Sequence, residues 1–145
     1  MDSFQHTLRT FISEETDFKH ILTDKNLAKF GDSLINFIYS IAKSVVVGVF
    51  CGEKVSDKAL ASALSETPLK NKTRPRSTVN EQADAVEAFC AYLWFIQLSS
   101  LEEMVTIIAN VIKGQDLSYH KTEKTAQKQA FKKLIELLLE KTDLR

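Results

Sequence analysis

Glycine, proline and cysteine are scarce in this sequence, and each scarcity excludes a class of protein. Four glycines and two prolines in 145 residues are too few for a turn-rich all-β fold, and a 44% hydrophobic content is too high for a disordered chain. Cys51 and Cys90 both lie among apolar neighbours, which argues against a disulfide framework and a cysteine-rich metal site. We therefore expect one helix-rich domain over residues 1–145, in a reducing cytoplasm.

An excess of charge of one sign is also missing, as are targeting and membrane segments. Nineteen basic residues balance nineteen acidic ones, so no global field attracts a polyanion and any nucleic-acid surface has to be a local patch. The N-terminus lacks a basic region followed by an apolar run, and the longest apolar segment, Ser44–Cys51, is too short to cross a bilayer. No membrane partner is expected.

Several catalytic motifs are absent as well. The sequence has no glycine-rich phosphate loop, and Ser33 lacks the Gly-x-Ser-x-Gly elbow of an esterase nucleophile. His6, His20 and His120 have no cysteine or aspartate at metal-ligand spacing, so surface or capping roles are predicted for them. Serine-nucleophile chemistry and a zinc centre are therefore disfavoured.

What the sequence does contain is helical periodicity, and the predicted fold class is all-α. The run Val45–Val47 also fits a strand, although a helix is favoured there. The predicted helices run from Asp2 or Ser3 to about Glu14, from Thr23 or Asp24 to about Val47, from Ser56 to Thr67, from Ser77 or Asn80 through Ile96, from Ser99 or Ser100 to Gly114, and onward from about Thr122.

Asp32 stands out because it lies in a helix that is apolar on nearly every side. The residues around it, from Leu27 to Ile41, predict a buried central helix. An isolated buried carboxylate costs on the order of several kcal/mol unless it is paired, protonated or bound to a cation. Asp32 therefore requires a partner from elsewhere in the chain.

A second set of carboxylates supplies a candidate partner. Asp84 and Glu87 are three residues apart, so both project from one face of their helix. Together with Asp32 they form an oxygen-ligand set of the kind that suits Mg²⁺ or Mn²⁺. Spacing alone leaves an alternative open, in which Asp32 pairs with a nearby lysine while Asp84 and Glu87 lie on a solvated face.

A basic stretch precedes the second carboxylate pair. It is either a solvated linker or a loop that contacts phosphates. Its four cationic side chains are Lys70, Lys72, Arg74 and Arg76.

Two segments resemble the signature motifs of the ribonuclease III family. Phe30-Gly31-Asp32-Ser33-Leu34 is similar to the Leu-Gly-Asp-(Ala/Ser)-hydrophobic core of the first motif. Asp84–Leu93 resembles the second motif, Asp-x-x-Glu-Ala-x-x-Gly-Ala-x-Tyr-Leu, and Val55–Glu66 resembles the helix between the two. The resemblance covers roughly Asp24–Trp94 and is greatest to the compact archaeal ribonuclease III-like proteins; Mini-ribonuclease III is also similar.

The resemblance implies an all-α endonuclease domain that acts as a homodimer on double-stranded or structured RNA. Asp32 and Glu87 would be the catalytic residues, and Asp32, Asp84 and Glu87 would hold Mg²⁺ or Mn²⁺ for in-line attack of water on a phosphodiester. A-form RNA is recognised largely by shape and by contacts to phosphate and 2′-hydroxyl groups. The candidate RNA-binding residues are Lys70, Lys72, Arg74 and Arg76.

Two departures from the family pattern bear on this prediction. The family usually has a glutamate four residues before the aspartate of the first motif, where this sequence has Ala28. Asp24 and Asn36 are the candidate auxiliary donors, and Mini-ribonuclease III proteins also tend to have a small residue at the position of Ala28. The residues after the second motif read as two packed helices, so no double-stranded RNA-binding domain is expected.

Two other functions remain open at this point. The chain could be a catalytically impaired member of the same fold that binds RNA or a protein. It could also be a helical dimer that assembles through its apolar C-terminal helix and has no role with RNA.

Overall fold

The computed structural model describes residues 4–142, which contain helices and no β-strand. The predicted all-α class is therefore confirmed, and the strand alternative at Val45–Val47 is wrong because those residues are helical. A 3₁₀ helix, Pro68–Lys72, lies between the fourth and fifth α-helices. The α-helices are α1 Phe4–Arg9, α2 Phe18–Leu22, α3 Lys25–Val47, α4 Asp57–Ser65, α5 Val79–Phe95, α6 Leu101–Ile112 and α7 His120–Lys141.

Helix α3 is central because it packs against both α5 and α6. The Asp24 carboxylate starts it by accepting the Leu27 N–H at 3.0 Å, and Gly48 ends it in a left-handed conformation with φ of 81°. Around this helix, α4 packs on α5 and α7, and α6 packs on α7. The predicted bounds of the central helix are confirmed.

The apolar face of α7 is buried inside the chain. Phe131 and Leu134 have no exposed surface, and the helix packs against α4 and α6. The alternative in which the C-terminal helix serves as an assembly surface is wrong, since that face is already covered.

The first predicted helix ends at Arg9, earlier than the predicted Glu14. The Thr10 hydroxyl donates to the Thr7 carbonyl at 2.6 Å, and such local side-chain bonds compete with continued helix. The short helix α2, which the prediction missed, follows this turn. The predicted N-caps Asp2 and Ser3 lie outside the described residues.

Other helix ends lie within a few residues of their predicted positions. Ser56 and Ser100 cap α4 and α6 as predicted. Helix α5 begins after Thr78, which forms a capping box with Glu81, and not at Ser77 or Asn80. The predicted basic loop begins inside the 3₁₀ helix, which the burial of Leu69 anchors to the core.

Helix α3 is not buried on every side, contrary to the prediction. Phe30, Phe37 and Val45 are 39%, 58% and 68% exposed, and their spacing places them along one face. By length and composition alone, α3 is also long and apolar enough to cross a membrane, and the absence of a membrane partner stays a prediction. The core helix of a soluble protein passes the same test.

Candidate active site between helices α3 and α5

Helices α3 and α5 approach each other closely at Gly31 and Glu87. A Cβ atom on Gly31 would lie 2.1 Å from the carbonyl oxygen of Glu87 and 3.1 Å from its Cα, so only glycine fits at this position. The next residue on α3 is Asp32. The glycine of the Gly-Asp pair thus brings the aspartate side chain to the level of Glu87.

The carboxyl groups of Asp32 and Glu87 lie within hydrogen-bonding reach of each other, so a proton on one can be shared with the other. Burial of Glu87, together with the hydrogen bond and the negative charge of Asp32, raises the pKa of Glu87 to about 9, and Asp57 and Asp84 add to this effect. The same hydrogen bond lowers the pKa of Asp32. With these shifts, Glu87 is protonated at neutral pH and lies beside an ionised Asp32.

Exposure of the two carboxyl groups differs from the prediction. Asp32 is not buried, because 40% of its side chain is exposed, whereas Glu87 is only 4% exposed. The alternative in which Glu87 lies on a solvated face is therefore wrong. The carboxylate that needs a partner to remain charged is that of Glu87.

Asp84 lies one turn before Glu87 at the rim of the site. Its carboxylate pairs with the Lys25 ammonium at 3.0 Å, and the side chains are 32% and 68% exposed. One turn further towards the start of α5, Glu81 pairs with Arg74 at 3.5 Å. Cations and carboxylates therefore alternate along this edge of α5.

Asp32 has two further partners, one of them a lysine. Lys54 Nζ lies 3.3 Å from Asp32 Oδ1, and the Asn36 amide donates to the same oxygen at 3.2 Å. One half of the alternative is thus confirmed, since Asp32 does pair with a lysine, and the auxiliary candidate Asn36 lies beside Asp32. Lys54 itself was missed by the sequence analysis because it lies in a segment without periodicity.

The segment that carries Lys54 is held by a ladder of side chains on α3. The Cys51 N–H donates to Ser44 Oγ at 2.9 Å, and the Glu53 N–H donates to Ser40 Oγ at 2.9 Å. The next bond runs from the Val55 N–H to the Asn36 side-chain oxygen, at 2.8 Å. Every second residue of the segment meets every fourth residue of α3, since four helical residues rise about 6 Å and two extended residues about 6.6 Å.

The other auxiliary donor, Asp24, has a different place. Its carboxylate caps α3, about 12 Å along the helix axis from Asp32. It also lines an apolar cavity of about 310 Å³, together with Phe30 and Phe95. Asp24 therefore serves the start of the helix, and Asn36 is the auxiliary residue that the structure brings to Asp32.

Ala28 is 3% exposed and packs in a small apolar cluster with Ala88 and Ala91 of α5. Small residues fill the space between the two helices where the family pattern has a glutamate. Ala28 therefore packs against residues of its own small size on α5.

The predicted basic residues lie at and before the start of α5. Lys70 and Lys72 belong to the 3₁₀ helix, and Arg76 has a positive φ of 60° in the turn that follows. Only Arg74 joins the row of charges along α5, through Glu81. Arg74 is therefore the predicted basic residue that connects this stretch with the charged edge of α5.

The donor set decides which metal chemistry the site can support. Among residues 4–142, no three histidine, cysteine or acidic side chains are arranged to hold a metal ion by themselves. Mg²⁺, however, is commonly held by one or two carboxylates together with water and substrate phosphate. Asp32 and Glu87 fit that requirement once Glu87 has lost its proton.

Comparison with known proteins bears on this geometry. A family model described as Ribonuclease III matches residues 25–144, from the first residue of α3 through α7. No curated protein matches the chain.

Proposed function

Because the chain belongs to the ribonuclease III family, we propose that it is a Mg²⁺-dependent endoribonuclease, with Mn²⁺ as a substitute, acting on double-stranded or structured RNA in the cytoplasm. The family supports a ribonuclease function in general. The observation that carries the finer proposal is the contact of Asp32 with Glu87 across the Gly31 crossing. A protonated buried carboxyl beside an ionised one is a site that a divalent cation can occupy in exchange for a proton.

Each residue of the site has a separate task in this proposal. When bound, the cation supplies an activated water for in-line attack and stabilises charge on the leaving oxygen. Glu87 holds a proton in the metal-free site and becomes a ligand on losing it. Asp32 is oriented by the Asn36 amide, and Asp84 extends the acidic row at the rim. Ala28 supplies no ligand, so Asp32 and Glu87 carry most of the binding.

RNA would approach along the edge of α5. Phosphate contacts do not require base readout, because duplex RNA is recognised largely by its shape and backbone. Arg74 lies next to the row of charges that leads to Asp84, while Lys70, Lys72 and Arg76 extend the cationic surface beyond the helix start.

We also propose that the chain forms a homodimer through the exposed face of α3. Phe30, Phe37 and Val45 form one apolar stripe, and Phe50, just beyond the helix end, is 99% exposed. A row of exposed apolar side chains along one helix face is a candidate association site. Sedimentation of wild type as a dimer and of Phe37→Asp as a monomer supports the proposal, with Tyr119→Asp as the control because Tyr119 is 69% exposed just before α7. A wild-type monomer, or an unchanged Phe37→Asp dimer, contradicts it.

The test of the catalytic proposal is cleavage of a long RNA duplex in Mg²⁺. We expect short duplex products from wild type and none from Asp32→Asn or Glu87→Gln. Asp116→Asn is the matched control, since Asp116 is an exposed acidic residue in the loop after α6. Identical products from wild type and both site variants would contradict the assignment. Duplex binding with a steep salt dependence but no cleavage would favour the alternative, an RNA-binding protein with an impaired site.

A further inference from the structure

The ladder on α3 ends at Asp32. Ser44, Ser40 and Asn36 each accept a backbone N–H of the extended segment. Asp32 is the next polar residue in the same row, four positions earlier, but it receives the Lys54 ammonium in place of a backbone N–H. Its carboxylate is therefore not needed to hold the segment in place.

The backbone of Lys54 is fixed from two helices. Val55 is 1% exposed and bonded to Asn36 of α3, while Gln127 of α7 accepts the Ser56 N–H at 3.0 Å and donates to the Lys54 carbonyl at 3.4 Å. The Lys54 side chain nevertheless remains 65% exposed. A fixed backbone with an exposed charged tip suits a residue that delivers its charge to a ligand.

The Lys54 ammonium lies beside Asp32 Oδ1, the oxygen that a divalent cation bound to Asp32 would use or approach. A cation on Asp32 would repel it, and exposed ion pairs of this kind contribute little, so the exchange is easy. Once displaced, the ammonium stays within reach of a phosphate held at the same site. Lysine binds phosphate as a compact point charge, which does not require one fixed geometry.

We propose that Lys54 is a phosphate-binding residue that neutralises Asp32 in the metal-free protein and moves to a phosphate oxygen of the RNA when a divalent cation takes its place. This inference rests on the proposed function. It predicts that removing the Lys54 charge strengthens Mn²⁺ binding and weakens binding of duplex RNA. A purely structural role for Lys54 would not produce these opposite effects.

The first measurement is Mn²⁺ affinity without RNA, followed by electron paramagnetic resonance of the free ion. Lys54→Met removes the competing ammonium, so we expect Mn²⁺ to bind about fivefold more tightly. Lys54→Arg keeps the positive charge and should stay near wild type. Lys58→Met is the matched control, because Lys58 is an exposed lysine on the neighbouring helix α4.

The second measurement is affinity for a duplex RNA in Ca²⁺, by fluorescence anisotropy over a range of salt concentrations. Lys54→Met should weaken binding about fivefold and reduce the log–log salt slope by about one, as expected for one lost phosphate contact. Lys54→Arg and Lys58→Met should keep the wild-type slope. Thermal melting of all variants checks that the fold is retained.

Tighter Mn²⁺ binding together with weaker duplex binding in Lys54→Met supports the proposal. Unchanged or weaker Mn²⁺ binding, or unchanged duplex binding, overturns it. If wild type cleaves duplex RNA while Lys54→Met matches it in both titrations, the proposed function stands and only the role of Lys54 fails. If wild type does not bind duplex RNA, the proposed function and the role of Lys54 both fail.

Discussion

Gly31 and Glu87 meet backbone to backbone, with 2.1 Å between the Glu87 carbonyl oxygen and the position that a Gly31 Cβ would occupy. The contact fixes the level at which α3 crosses α5. Because Asp32 follows Gly31, the same contact fixes which carboxyl groups face each other. A residue without a side chain is thus responsible for the geometry of the acidic site.

Substitution of Gly31 by alanine should therefore destabilise the folded protein. A backbone clash of this size forces the helices apart, and we expect a loss of about 3 kcal/mol in the free energy of unfolding. Urea denaturation measures this loss. Gly52→Ala is the control, since a Cβ at Gly52 would meet no atom within 4 Å, and it should stay within about 0.5 kcal/mol of wild type. Equal stability of the two variants would contradict the close approach.

Stability should fall as pH rises through the neutral range in metal-free buffer. The pKa of Glu87 is raised from 4.5 to about 9, so its contribution is complete below about pH 4.5 and is lost towards pH 9. The slope reaches up to about 1.4 kcal/mol per pH unit. The lowered pKa of Asp32 acts in the opposite direction, but only in acid near and below its ordinary value of 3.8.

The control for this pH dependence is Glu87→Gln, whose amide cannot ionise. Thermal melting between pH 5 and about pH 9 should show a flatter profile for this variant than for wild type. Parallel profiles would mean that Glu87 titrates near its ordinary pKa in the folded protein.

Restoring the family glutamate at position 28 should destabilise the protein. Ala28 is buried against Ala88 and Ala91, so Ala28→Glu adds both volume and a charge to a packed interface, at a cost of about 3 kcal/mol. Ala28→Ser, a small polar substitution, should cost about 1 kcal/mol. Chemical denaturation distinguishes the two. A stable Ala28→Glu variant that binds Mn²⁺ more tightly would show that a fourth carboxylate fits.

A buried ion pair between α3 and α7 should be sensitive to loss of one partner. Glu123, with its side chain 8% exposed, pairs with Lys43 at 2.8 Å and accepts the Tyr39 hydroxyl at 2.7 Å. Lys43→Met should cost about 3 kcal/mol in the free energy of unfolding because Glu123 loses its counter-charge. Arg74→Ala, which breaks an exposed pair, should be indistinguishable from wild type in the same denaturation experiment. Equal losses would contradict the burial of Glu123.

Much of this architecture follows from local patterns in the sequence. Apolar spacing and capping residues predicted the bounds of α3 and α4 closely. The reason is that Asp24 and Ser56 start these helices through contacts only three positions away in the chain. The contact of Asp32 with Glu87 was predicted from the acidic spacing and the two motifs. The roles of these side chains as metal ligands stay predictions.

Other features depend on contacts that no local pattern records. Asp84 and Glu87 share a face of α5 by spacing, yet Glu87 is buried and Asp84 is at the rim, because the crossing of α3 lies over only one of them. Lys25 and Lys54 reach the carboxylates from distant positions in the chain. The exposed stripe on α3 was missed because composition alone does not show which face a helix buries.

The ladder between α3 and the extended segment also has a consequence for folding. Its bonds join residues 7, 13 and 19 positions apart, so each closes a short loop, whereas the contact with Glu87 requires α5 to return from much further along the chain. The half of the site that contains Asp32 and Lys54 can therefore form early as a local unit onto which α5 later docks. In a refolding experiment with pulsed hydrogen exchange, the amides of Cys51, Glu53 and Val55 should become protected no later than those of α5.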